Sequence, residues 1–176
     1  MENQPEKDKI DYYKIISQGI TAKGFITVDE TNIQVDIKYE EYYDSVKFSI
    51  IDFGYAVCFF QKDRAVFFVG NMVNKKRETH RGVGTLLLKS AIDFALEKNE
   101  SCKILLDAVK RCHIMYYRMG FRAVKSLNES EPEKRNLLIE NEIKRAKIAG
   151  VKPNNENLGL FLTRMELDRE RYNEWN

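Results

Sequence analysis

The feature that most restricts this chain is a change of hydrophobic period near its middle. From Gly24 to Val73, five β-branched or aromatic runs follow one another: GFITV, IQVDIKY, VKFSII, YAVCFF and AVFFVGNMV. The separators DETN, EEYYDS, DFG and QKDR are polar or glycine-bearing turn segments. Connections that short join neighbours antiparallel, so this half predicts a five-stranded meander. The last two runs are apolar almost throughout, as strands covered on both faces are. From Val83 to Lys98 the period becomes helical. Thr85, Lys89, Asp93 and Glu97 stand four apart and form one polar stripe on a helix that is otherwise mostly apolar.

Beyond that helix the sequence alternates. CKILLDAV reads as a strand, Lys110 to Met119 as a short helix closing on Gly120, and FRAVK as a short strand. Residues 130–149 read as a helix with a Ser130/Glu133 capping box and Gly150 beyond its end. The loop VKPNNEN leads to a last strand, GLFLTRMEL. At the N-terminus Ile10, Tyr13 and Ile16 suggest a short amphipathic helix ending near Gly19. Residues 1–9 and the polar tail 168–176 read as loose ends. The expectation is one domain over residues 1–176, α/β (α+β) in class. Its sheet is mixed and largely antiparallel, flanked by helices, with an extra helix at about 130–149 before the last strand.

Composition sets the boundaries of function. A chain of 176 residues, 43% hydrophobic and 32% charged, has a core to bury and is not disordered. No apolar run nears the roughly 20 residues that a bilayer requires. The start MENQPEKDKID lacks the apolar segment of a secretory signal. Cys58, Cys102 and Cys112 show no C-x-x-C spacing, and with only two histidines they predict neither a disulfide framework nor a zinc site. A cytoplasmic location, no metal and no membrane partner are the expectations. A net charge of +2 carries no argument for a polyanionic partner, so any such argument must be local.

The local feature is Lys75 to Leu88, KKRETHRGVGTLLL, which leaves an apolar strand and enters the long helix at R-G-V-G-T. Free N–H groups at a helix start, with the positive end of its dipole, form an anion site. Arg81 and the run Lys75-Lys76-Arg77 add positive charge. No G-K-[ST] follows and the G-x-G-x-x-G spacing is incomplete, so neither a Walker loop nor a dinucleotide fingerprint is present. The alternative is that Gly82 and Gly84 only permit the helix to pack on the sheet.

About thirty residues on stands MYYRMGF, Met115 to Phe121, where the short helix meets a strand. Together THRGVG (Thr79 to Gly84) and MYYRMGF resemble the GNAT superfamily of N-acyltransferases, which carries [QR]-x-x-G-x-[GA] and F-Y-x-x-x-G-F on these elements. The resemblance covers residues 65–122 well, 159–167 weakly and the first 60 hardly at all. It implies an acetyl-CoA-dependent N-acetyltransferase. The amides of His80, Arg81, Gly82, Val83, Gly84 and Thr85 would hold the pyrophosphate, with Thr79 at the first motif position. Met72 and Val73 would serve the thioester and pantetheine arm. Tyr116 would protonate the departing thiolate. Thr79 replaces the family's Gln or Arg, Val109 its common Asn and Cys112 a frequent Ala. A strand meander also replaces the helices that usually help to build the acceptor site.

The implied reaction is direct attack by a primary amine in a ternary complex, with Glu78, Asp107 or His113 as candidates to take a proton. Each has a plainer role: Glu78 as a surface partner of Lys75 or Arg81, Asp107 as a helix N-cap, His113 as packing. Tyr116 too can be a core aromatic. The acceptor stays open among a small molecule, a protein and an aminoacyl-nucleic acid, and a second copy of the chain stays open as a homodimer partner. The rivals are an inactive acyl-CoA-binding or protein-interaction module of the same fold, and a nucleic-acid-binding module using the basic loop 75–81 with Phe59, Phe60, Phe67 and Phe68.

Overall fold

The computed structural model describes residues 10–61, 63–127 and 129–176, so the segment 1–9 expected to be loose lies outside the described residues. The chain falls into two compact units, Met1–Cys102 and Lys103–Asn176. The expected class is the one observed: a largely antiparallel sheet architecture flanked by helices, with an additional helix before the last strand.

In the first unit β1 (Ser17–Val28), β2 (Thr31–Glu41), β3 (Ser45–Ile50), β4 (Gly54–Gln61) and β5 (Val66–Asn74) form the antiparallel meander. A two-residue strand, β6 (His80–Arg81), pairs with the end of β1, giving the order β6-β1-β2-β3-β4-β5. Val46, Phe48 and Ile50 alternate inward on β3 and are fully buried or nearly so. Helix α1 (Val83–Lys98) covers that face with Leu87, Leu88, Ala91 and Ile92, and Phe94 meets Phe48 edge-on at 5.5 Å. Of its expected polar stripe, Asp93 and Glu97 are exposed, whereas Thr85 and Lys89 are half-buried. The far end of α1 is tied down by Glu41, a buried carboxylate at the end of β2 that Lys98 Nζ approaches to 3.1 Å and Arg64 Nη1 to 3.3 Å.

The helix expected over residues 10–19 does not form. Ile10, Tyr13 and Ile16 are exposed, and from Ser17 onward the chain pairs with β2 along its length, Ser17 opposite Glu41 to Val28 opposite Thr31. Three apolar positions over so few residues do not offset the cost of nucleating a helix, whereas a long neighbouring strand supplies hydrogen bonds at every second residue.

The second unit comprises β7 (Lys103–Val109), α2 (His113–Arg118), β8 (Phe121–Ala123), α3 (Pro132–Ala149), a 3-10 turn (Asn155–Leu158), β9 (Leu162–Leu167) and α4 (Arg169–Trp175). The last strand lies between the two earlier ones, in the order β7-β9-β8, antiparallel to both. Asn136 of α3 covers β8: its side-chain oxygen accepts the Ala123 N–H at 2.8 Å and its nitrogen donates to the Ala123 carbonyl at 3.3 Å.

Two details differ from the sequence reading. The capping box is absent: α3 starts at Pro132, the N-cap position falls on Glu131, and no side chain caps it. Proline's fixed φ sets the first helical residue, and Glu131 pairs with Lys134 instead. The tail is not loose, because Asp168 accepts the N–H groups of Glu170 and Arg171 and starts α4, whose Tyr172 is buried.

Candidate functional site

Two regions carry the predicted residues, one in each unit. In the first, β5 leads through the exposed turn Lys75–Thr79 to β6 and then to α1. Asn74 organises that turn: its side-chain oxygen accepts the Lys76 N–H at 3.1 Å, and its nitrogen donates to the His80 carbonyl at 3.0 Å. The Lys76 carbonyl takes the N–H groups of both Thr79 (3.2 Å) and His80 (2.8 Å), so those two amides are engaged within the protein.

The next amides differ. Gly82 is the N-cap of α1 at φ +88°, a left-handed conformation that a side chain would strain. No side chain caps this helix start and its first turn holds no acid. The N–H groups of Val83, Gly84 and Thr85 therefore have no intrahelical partner and sit at the positive end of a helix of 16 residues. Gly84 discriminates between packing and binding. A Cβ built there would lie 3.7 Å from the Met72 methyl, ordinary contact, so internal packing does not demand glycine. The missing side chain leaves room for a group from outside to approach the amides. Met72 thus lies beside the helix start, and Val73 follows it on β5 opposite Tyr55. These residues fit a pyrophosphate: backbone donors without an intrahelical acceptor and a dipole of the right sign.

Sequence reasoning missed β6 and what it does to its neighbours. His80 is buried with its ring edge-on to Phe53 at 5.1 Å, so only its backbone faces the turn. Thr79 and Arg81 point the other way. With Thr27, Asp29, Glu30 and Glu78 they line an open pocket of about 260 Å³. Its three carboxylates repel an anion, which favours the helix start over the pocket as the place for phosphate.

Tyr116 lies in the second unit, on α2. It is buried, its ring edge-on to Phe121 at 6.0 Å. The neighbouring Tyr117 takes a different role: the Arg122 guanidinium lies 3.7 Å from its ring centroid and donates to its carbonyl. Gly120 of the same motif stands at φ +105°, and a Cβ there would come within 2.7 Å of the Tyr172 nitrogen. The glycine lets α4 seat against the end of α2.

The candidate bases are placed as follows. Asp107 is not a helix N-cap; both its oxygens meet Arg164, Oδ1 at Nε and Oδ2 at Nη2 (3.0 Å). His113 is fully buried with Nε2 3.0 Å from the Thr163 hydroxyl. Burial first, then the charge of Arg135, lowers its pKa to about 4. It is a neutral internal group, which removes it as a base for an external amine. Glu78 borders the open pocket.

The remaining features are structural. Burial pushes the Cys58 thiol up, and all three cysteines are free. Phe67 is buried, Phe60 and Phe68 are half-buried and only Phe59 is exposed, so the four do not form one stacking face for bases. No helix among the described residues is long and apolar enough to cross a membrane.

The class defined by these elements is thus an antiparallel sheet architecture with an uncapped, glycine-bearing helix start and a tyrosine on a short helix. No family model and no curated protein matches the sequence. Among solved structures, the chain is similar to an acyl-CoA N-acyltransferase from Pseudomonas aeruginosa (14% identity, 71% of this chain and 69% of that one, TM-score 0.47). It is also similar to nourseothricin acetyltransferase (19%, 85% and 86%, 0.44) and to Escherichia coli ElaA (13%, 80% and 72%, 0.43).

Proposed function

We propose that this protein is an acetyl-CoA-dependent N-acetyltransferase of the GNAT type that acts on a primary amine. The observation that carries the reading is the start of α1: unpaired amides of Val83, Gly84 and Thr85, with a glycine that packing does not require. In this reading those amides, with Gly82 shaping the entry, hold the pyrophosphate, and the run Lys75-Lys76-Arg77 on the preceding turn adds long-range attraction. Met72 and Val73 border the acyl arm. Bound acetyl-CoA contributes an activated acyl group whose C–S bond breaks as the amine's C–N bond forms. Tyr116 would donate its hydroxyl proton to the departing sulfur and regain one from solvent, to which the proton lost by the amine passes directly or by way of a carboxylate.

The experiment is a screen of primary amines in which release of the CoA thiol from acetyl-CoA is followed, with Tyr116→Phe alongside. Amine-dependent release that the variant reduces about 10- to 1,000-fold while still binding acetyl-CoA is the expected result. Equal turnover by the variant would remove Tyr116 from the reaction.

A further inference from the structure

Helix α2 has six residues, a length that does not sustain a helix in water. Its N-cap residue, Cys112, supplies no side-chain cap. The start of the helix is served from elsewhere in the unit. Asn155 Oδ1 accepts the Ile114 N–H at 3.0 Å, and Asn155 Nδ2 donates to the Arg111 carbonyl at 3.1 Å. Only one orientation of this amide works, because the reverse would set donor against donor and acceptor against acceptor.

Asn155 is itself held on both sides by α3. Glu142, a buried carboxylate, accepts the Asn154 N–H at 2.8 Å and the Asn157 side-chain amide at 3.1 Å, and Arg145 pairs with it through two bonds of 2.8 Å. A second strut leaves the other end of α3: Arg135 donates to the Thr163 hydroxyl at 2.6 Å, and Thr163 meets His113, the first residue of α2, at 3.0 Å. The inserted segment from α3 through the 3-10 turn therefore grips the first turn of the helix that carries Tyr116.

We propose that Asn155 is a positioning residue for Tyr116, by which the inserted segment folds and aims α2; as a role in catalysis this rests on the acetyltransferase reading above. The test uses the full chain and needs no acceptor: backbone amide exchange across Ile114 to Tyr117, together with the ring resonance of labelled Tyr116, assigned with Tyr116→Phe. Asn155→Ala is expected to speed exchange at those amides at least ~10-fold, leave the amides of α1 protected and shift the Tyr116 ring resonance. Asn155→Asp keeps the acceptor for the Ile114 N–H but sets an oxygen against the Arg111 carbonyl, and is expected to restore protection at Ile114 and to place the Tyr116 ring resonance between those of the wild type and Asn155→Ala. Unchanged exchange and an unchanged ring resonance in Asn155→Ala overturn the proposal, as does exchange at Ile114 in Asn155→Asp as fast as in Asn155→Ala. If Asn155→Ala does not fold, Glu142→Ala removes the acceptor that holds Asn154 and Asn157, and native exchange in α2 then overturns the proposal equally. Acetyl-CoA titration of the unaltered protein is read separately. Absence of binding would overturn the role in acetyl transfer without touching the exchange result.

Discussion

Single residues here are fixed by backbone demands that sequence shows only in part. Gly120 is the clearest: its φ of +105° and the approach of the Tyr172 nitrogen both forbid a side chain. Gly120→Ala is expected to cost about 2–4 kcal/mol, read as a lowered midpoint in urea unfolding. Glu30 illustrates the opposite case. With Asp29 it forms the β1–β2 turn at φ 66° and 47°, where glycine is preferred. Glu30→Gly is expected to stabilise by about 0.5–1 kcal/mol, a rise of roughly 2–4 °C per kcal/mol in thermal midpoint. His113 sets a pH response. Its pKa in the folded protein is about 4 against an ordinary 6.5, so between these values the unfolded chain takes up a proton that the folded one refuses. Stability is complete above pH 6.5 and falls as pH drops towards 4, by up to about 3 kcal/mol. Urea unfolding across that range measures it, and in His113→Gln the slope should flatten. Glu142 acts lower still: its carboxyl is drawn down to about 2, chiefly by Arg145 and then by the Asn154 N–H. Its contribution stands above the ordinary carboxylate range and is lost as pH falls towards 2.

Elements were legible where the pattern was long and local. The five strand runs and helix α1 are each set by side chains that alternate or recur over many residues, and each run overlies an element of the structure, although β1 begins at Ser17, well before its run at Gly24. Short elements were not. Two-residue β6 has no periodicity to read, and it exists because β1, paired with β2 on one edge, offers its other edge at Thr27 and Val28. Ile10, Tyr13 and Ile16 imitate a helix face, but Ser17 onward is claimed by β2. At α3 the proline overrides the Ser130 cap, and at α4 a single Asp168 cap with a buried Tyr172 turns a polar tail into a helix. The buried carboxylate Glu41 holds the end of α1 to the sheet. Glu41→Ala is expected to lower stability by about 1–3 kcal/mol and to raise amide exchange at the C-terminal turn of α1 before its N-terminal turn.

For the molecule as a whole, class and candidate chemistry came from two short motifs, THRGVG and MYYRMGF, and the structure gives each a distinct physical basis. The first makes an uncapped helix start with an open glycine, and the second puts a buried tyrosine and a tightly packed glycine at a helix–strand junction. Hidden from the sequence was the internal wiring: Asn74 holding the basic turn, Asn155 and Thr163 holding α2, Arg164 occupying Asp107. Such bonds join residues distant along the chain, and no local pattern encodes them. The acceptor is equally unencoded, since fold and cofactor turn are indifferent to which amine attacks. The central claim is that the α1 start binds the pyrophosphate of acetyl-CoA, and calorimetric titration of the wild type and Gly84→Glu tests it most directly. A Cβ at this position makes only ordinary contact with Met72, and the glutamate beyond it sets bulk and negative charge at the amides. Micromolar binding by the wild type, lost at least ~100-fold in a folded Gly84→Glu, is the predicted result. No binding by the wild type, or equal binding by both, would contradict it.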